Sequence, residues 1–267
     1  MKSTVIIGGL FVNSAYAVAV EYFGPLNITI PRLSVAVYYN TAVYINGKLY
    51  SCCGWPSNGA CYKYVLTANS GSWETFTTIP GNDWLNPSVA FDDFFWYFNE
   101  QIRQVPVNGG NVTSYDWGFG RHGCAVGNGS HSVMIQFMKS SVLMNIDPSS
   151  PTIWTTVVEL NTTVGYSGCL WFGNTIYVTG GLDASSQRIN TTQLINTDTF
   201  ELTLGAPLPV AVFYPGMGVI DGKPAVIGGN NGTYLSTIYV YDSCTNSWSL
   251  SDRSLPGGRA YFGSVTF

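Results

Sequence analysis

Six short apolar strands recur along the chain. Each is opened by a small residue: Thr41, Ser88, Gly123, Gly168, Gly216 and Gly263. The steps between them are 47, 35, 45, 48 and 47 residues. This regularity constrains the fold more than any other property of the chain. A unit of that length cannot bury both of its faces alone, so it must stack on copies of itself. Each opening strand runs through a Gly, Asn or Asp turn into a second apolar strand: KLYSCCG, FFWYFNE, SVMIQFM, TIYVTGG and PAVIGG. Asn46-Gly47 and Asp221-Gly222 are two-residue hairpin signals, since both positions of such a turn need positive φ. Third strands follow at YKYVLT, IRQVPV, VLMNID, TQLINT and IYVYD. Fourth strands start at or near Trp73, Trp117, Trp154, Phe200 and Trp248.

No segment long enough to form a stable helix carries the 3.6-residue period. Four short antiparallel strands per unit, repeated, predict an all-β chain folded as one β-propeller of four-stranded antiparallel blades. Five units lie within the chain, at residues 36–80, 86–120, 121–162, 165–207 and 213–256. A sixth is composite: AYFGSVTF at the C-terminus supplies its first strand, and TVIIGG, AYAVAVEY and LNITIP supply strands two to four. Counted through the chain ends, Gly229 to Gly9 is 47 residues, against 48 from Gly181 to Gly229, so the ends meet in register. The expected domain is therefore 1–267, with residues 257–267 and 1–31 forming the closing blade. Joining the ends in one sheet removes two free edges. A second reading of residues 1–17 stays open. Lys2, the apolar run Val5 to Val12 and Ala15-Tyr16-Ala17 have the layout of a cleaved signal peptide.

The residues that recur at fixed places in the units are Gly8-Gly9, Gly54, Gly180-Gly181 and Gly228-Gly229 after the second strand, then Asp242, and later Trp73, Trp154 and Trp248. Paired glycines, a Tyr-x-x-Asp and a Trp six residues on make this pattern resemble the kelch repeat. The likeness is clear over Ile220–Trp248 and Leu170–Phe200, and fair over Ala42–Trp73. It is degraded in the units ending at Trp117 and Trp154, where Tyr97-Phe98 and Phe137-Met138 stand in place of glycines. The resemblance implies a kelch-type β-propeller over essentially the whole chain.

Composition excludes several functions. Only 10% of residues are charged, the net charge is −4, and Lys and Arg form no run, so nucleic acid and anionic membranes find no electrostatic handle. No window has the apolar length of a membrane-spanning helix. Cys61 lies close after the Cys52-Cys53 pair across a predicted hairpin, so one local bridge, Cys53–Cys61, fits there, with buried free thiols as the other reading. Sequons at Asn27, Asn111, Asn128, Asn161, Asn190 and Asn231 permit secretion without requiring it, since chance alone gives roughly four for so short a motif. Low charge and an even cysteine count favour an extracellular location, whereas a retained strand at residues 1–17 fits a cytoplasmic one.

Catalysis has little support. Copper radical oxidases of the galactose oxidase type also use kelch-like propellers, but they need two imidazoles at one metal. The only histidines here, His122 and His131, fall near opposite ends of a hairpin, so neither a metal site nor a cofactor is expected. Asp92-Asp93, Asp183, Asp198 and Asp242 fall in turns or at strand ends, the ordinary place for Asp. A binding face is better supported. Loops entering strand one and loops joining strands two and three emerge on the same side of a propeller. Two positions before the opening residues stand Tyr39, Asn86, Arg121, Tyr166, Tyr214 and Tyr261, and Trp55 and Trp84 fall in loops of that side. Tyr, Trp and Arg are the residues enriched at binding hot spots. The expected function is a non-catalytic module that binds a protein, with a glycan as the other ligand class. A secreted carbohydrate-active or copper-radical enzyme is the alternative.

Overall fold

The computed structural model describes the chain outside residues 1, 12–16, 26–27, 67–70, 81–86, 92, 99–100, 117–122, 128–131, 136–141, 148–149 and 163. Side chains are likewise not described at 132–135, 142–147, 150–155 and 157. The described residues form strands, bridges and turns, and no α-helix lies among them. Five sheets each hold four antiparallel strands in sequential order, spanning 41–78, 88–116, 124–159, 168–205 and 216–254. They are the blades of a β-propeller. The opening strands touch one another in chain order around the axis, and small residues at their starts allow that approach.

The expectation of six four-stranded blades needs correction. The terminal unit is a three-stranded sheet, with Thr4–Ile7 in the middle, paired to Gly263–Thr266 on one side and Val20–Phe23 on the other. Its inner strand touches the opening strands of the first and fifth units. LNITIP does not add a fourth strand: Ile28 to Pro31 carry none. Backbone groups of this segment are used elsewhere. The Pro31 carbonyl accepts the Trp73 indole N–H at 2.8 Å, and just beyond the segment the Leu33 N–H donates to the Val18 carbonyl at 2.9 Å.

Period-two alternation explains the packing, because successive side chains of a strand point to opposite faces. Val5 and Ile7 join the cluster shared with the first unit, around Ala42, Leu49 and Tyr64. Ile6, between them, joins the cluster shared with the fifth unit, around Ile220, Ala225 and Ile227. All three are fully buried. Arg259 adds a polar tie between the two chain ends. It is fully buried, forms an ion pair with Glu21, donates to the Gly8 carbonyl at 3.1 Å and lies between the rings of Phe11 and Phe262. Burial lowers its pKa to about 10.

The disulfide expectation also needs correction. Cys61 is bridged to Cys52, not to Cys53. Cys52 and Cys61 are direct cross-strand partners with Cα atoms 4.0 Å apart. Cys53 has φ 59°, so the chain has already turned out of the strand there. A second bridge, Cys124–Cys169, joins the opening strands of the third and fourth units. The signal for it was in the sequence: each cysteine directly follows an opening glycine, Gly123 or Gly168, so they lie one unit apart. A loop of that length gives about 4 kcal/mol of stabilisation in the chain-entropy model. Replacing both cysteines with Ser is expected to lower the stability measured by equilibrium urea unfolding by a corresponding amount and to raise the m-value, because the unfolded chain without the bridge exposes more surface.

Candidate functional site

The paired glycines position the tyrosines. After the second strand of a unit, two residues in succession take positive φ: Gly8-Gly9, Cys53-Gly54, Gly180-Gly181 and Gly228-Gly229. The residue after each pair then bridges back to a residue in the loop that enters the opening strand of its own unit. The bridges are Leu10 to Ala260, Trp55 to Tyr38, Leu182 to Gly165, and Asn230 to Phe213. In every case the bridged residue immediately precedes a face tyrosine. A side chain on the glycine would break this approach: a Cβ at Gly181 would stand 2.5 Å from the Gly165 carbonyl oxygen, and one at Gly54 2.6 Å from that of Tyr38.

Leaving the bridge, the chain must turn sharply into the opening strand. Tyr39, Tyr166, Tyr214 and Tyr261 all do so in the left-handed region, at φ 64°, 58°, 51° and 60°. That conformation is strained for a residue with a Cβ, and its repetition means the surrounding bonds enforce it. Two of those bonds link neighbouring units directly. The Tyr39 N–H donates to the Tyr261 carbonyl at 2.7 Å, and the Tyr214 N–H to the Tyr166 carbonyl at 2.9 Å.

The four rings converge. Centroid distances are 4.4 Å for Tyr166–Tyr214, 4.5 Å for Tyr214–Tyr261 and 4.8 Å for Tyr261–Tyr39. Each ring is half-buried. Together they cover the mouth of a cavity of about 160 Å³ that runs down between the opening strands. A second cavity of about 350 Å³ continues from it, sharing Ala42, Ser88, Ala125, Cys169, Met217 and Ser264, toward Tyr44, Trp171 and Lys2 on the opposite side. Trp55 is exposed and bridged to Tyr38, whose ring packs on Tyr39 at 4.4 Å. Trp84, Arg121 and Asn86 lie outside the described residues, as do His122, His131, Asn27 and Asn128.

The cluster holds its protons. Burial, followed by the neighbouring Tyr38 hydroxyl, pushes Tyr39 up to about 12. Burial and neighbouring hydroxyls push Tyr214 and Tyr261 further in the same direction. At neutral pH these hydroxyls are therefore hydrogen-bond donors. A group whose folded pKa lies above its unfolded value of 10 stabilises the fold fully below pH 10, and that contribution is lost as the pH rises through the folded pKa. Ultraviolet titration of the folded protein is expected to leave part of its 17 tyrosines un-ionised at pH 11, and unfolding to release them. Titration of every tyrosine near pH 10 in the folded state would contradict the cluster.

Sequence reasoning missed Tyr38, Phe213, Tyr234 and Arg188. Tyr38 and Phe213 are the bridged residues beside the recurring tyrosines. Tyr234 and Arg188 sit in second-to-third-strand loops, the loops already assigned to this face; Tyr234 packs on Tyr261 at 5.9 Å. Among the described residues no group of three or more His, Cys, Asp or Glu side chains gathers as a metal site would require. No helix among them is long and apolar enough to cross a membrane.

Comparison with known proteins agrees with the fold. The kelch motif model matches residues 213–250. The solved structure described as "Structure of YjhT" superposes with a TM-score of 0.76 at 14% identity, covering 87% of this chain and 88% of that one. No curated protein sequence matches the chain. Residues 213–250 carry a kelch motif, and the chain as a whole folds as a β-propeller. The kelch landmarks now have physical roles. Trp248 donates its indole N–H to the Ala206 carbonyl at 3.0 Å and to the Thr192 hydroxyl at 3.1 Å, tying the fifth blade to the fourth. Asp242 accepts the Cys244 and Thr245 N–H groups and pairs with Lys223 at 2.7 Å, closing its turn. The Lys223 bond and those N–H groups hold its carboxyl below the usual range. Trp154 lies in a strand, but its side chain is not among those described.

Proposed function

We propose that the chain is a non-catalytic binding module and that the tyrosine-covered mouth is where it holds a protein partner. One observation carries the reading. Four tyrosines from four separate units, set in the same strained backbone conformation by the same glycine-dependent bridge, gather their half-buried rings at one end of the axis. Rings serving only to pack blade on blade would be sealed between sheets, as Tyr177 and Tyr241 are. Rigid aromatics with donor hydroxyls offer large contact area at low conformational cost. The test is an affinity capture with the intact protein, repeated with Tyr166→Ala plus Tyr214→Ala, with thermal melting confirming that the variant folds. The expected result is loss of the partners captured by the natural chain. Unchanged capture by a folded variant overturns the assignment.

We further propose that the three-stranded terminal sheet closes the ring of five blades and that residues 1–17 stay in the mature protein. The Leu10–Ala260 bridge supports this, because it repeats across the chain ends the arrangement made within the other units. Two disulfides fit an oxidising, extracellular setting. The mass of the mature protein from its natural source tests retention: a start at Val18 would refute it.

A further inference from the structure

Arg188 is exposed on the tyrosine face, its guanidinium 5.3 Å from the centre of the Phe213 ring. Phe213 packs in turn on Tyr214 at 5.2 Å and Tyr261 at 6.2 Å. The arginine thus extends the cluster at its rim. The ion pairs among the described residues, Lys63–Glu74, Lys223–Asp242, Arg253–Asp221 and Arg259–Glu21, do not include it. The acid of its own loop, Asp183, accepts the N–H groups of Ser185 and Gln187 through its Oδ1. The face therefore presents a cation, tyrosine hydroxyls that act as donors at neutral pH, and aromatic planes. The whole chain carries a net charge of −4 and has no general attraction for anions, so any preference for one must arise locally.

We infer that Arg188, held on the Phe213 ring, anchors a carboxylate side chain, Asp or Glu, carried by an extended segment of the protein partner. A guanidinium is a planar fork that matches a carboxylate, and stacking on a ring fixes its plane before the ligand arrives. The flanking residues of the segment then lie across the tyrosine rings, which supply apolar contact. Charge complementarity selects this occupant: a basic segment would set its charge against Arg188, and a neutral one would leave the guanidinium without a partner. The inference rests on the tyrosine mouth being the binding face, and the two can fail separately.

The test uses the intact protein and immobilised pools of end-blocked nonapeptides. The central residue is fixed as Glu, Asp, Gln, Asn or Lys and the flanks are randomised; beads bearing glucuronate stand beside them. Retention on Glu and Asp pools is expected to exceed that on Gln and Asn pools by about tenfold, the worth of a charge-assisted hydrogen bond. Arg188→Gln, at an exposed position, is expected to erase that preference at unchanged melting temperature. Tyr166→Ala plus Tyr214→Ala is expected to release all pools. A preference for acidic pools that survives Arg188→Gln overturns the inference, as does equal retention on all pools, no retention on any, or stronger retention on glucuronate than on every peptide. If Arg188→Gln changes nothing while the tyrosine variant releases all pools, the inference falls and the binding face stands. If the tyrosine variant holds every pool as the natural chain does, the face itself falls.

Discussion

A chain lacking residues 1–17 is expected to lose cooperative folding. The deletion removes Thr4–Ile7 from the middle of the terminal sheet, leaving Gly263–Thr266 and Val20–Phe23 with no partner between them. Val5, Ile6 and Ile7 are fully buried, and burial of each such side chain is worth about 1.5–3 kcal/mol. Thr4 is lost as well, and with it the bond its hydroxyl accepts from the Val219 N–H at 2.8 Å and the one it donates to the Val219 carbonyl at 3.0 Å, both on the neighbouring unit. The sum approaches the whole stability of an ordinary domain, about 5–15 kcal/mol. Circular dichroism melting is the check. A truncated chain that melts in one sharp transition near the temperature of the full chain would show that residues 1–17 are dispensable.

Glu21→Gln is expected to destabilise the protein by about 3–5 kcal/mol, because it strands the Arg259 guanidinium where no water reaches it. For a chain of this size that corresponds to a fall in melting temperature of roughly 10 °C. Arg259 has little alternative. Its remaining neighbours are the Gly8 carbonyl and the rings of Phe11 and Phe262, and burial has already pulled its pKa down to about 10. Replacing both partners with Met should recover much of the loss, since well-packed apolar groups often substitute for a buried ion pair. A single Glu21→Gln variant that melts like the natural chain would mean that the pair contributes nothing to joining the ends.

The strand repeat was legible in the sequence because it is local chemistry. Hairpin turns at Asn46-Gly47 and Asp221-Gly222 and alternating apolar residues mark strands wherever they occur. The register across the chain ends was legible too, since Gly8-Gly9 repeats Gly180-Gly181 and Gly228-Gly229 at one unit's spacing. Three features were not. LNITIP alternates like a strand, yet a tertiary partner, the Trp73 indole, takes its Pro31 carbonyl. Cys52 and Cys53 are adjacent, and only the turn of the backbone at Cys53 decides which faces Cys61. Arg259 and Glu21 lie far apart in sequence, and neither carries a local signal of burial. At the face, position relative to the opening residue picked out the tyrosines, but their convergence depends on bridges between non-adjacent segments. Arg188 stood out in no repeat, because its partner ring, Phe213, belongs to another loop.

The central claim is that the partner sits on the tyrosine mouth, and site-specific photo-crosslinking tests it most directly. Benzoylphenylalanine would replace Tyr39 or Tyr234 at the mouth in one set of proteins, and Trp171, at the opposite end of the axial cavity, in another. Irradiation with the captured partner is predicted to give crosslinked product from the first set and none from the second. Crosslinking from Trp171 alone would place the partner on the other side of the propeller and contradict the account.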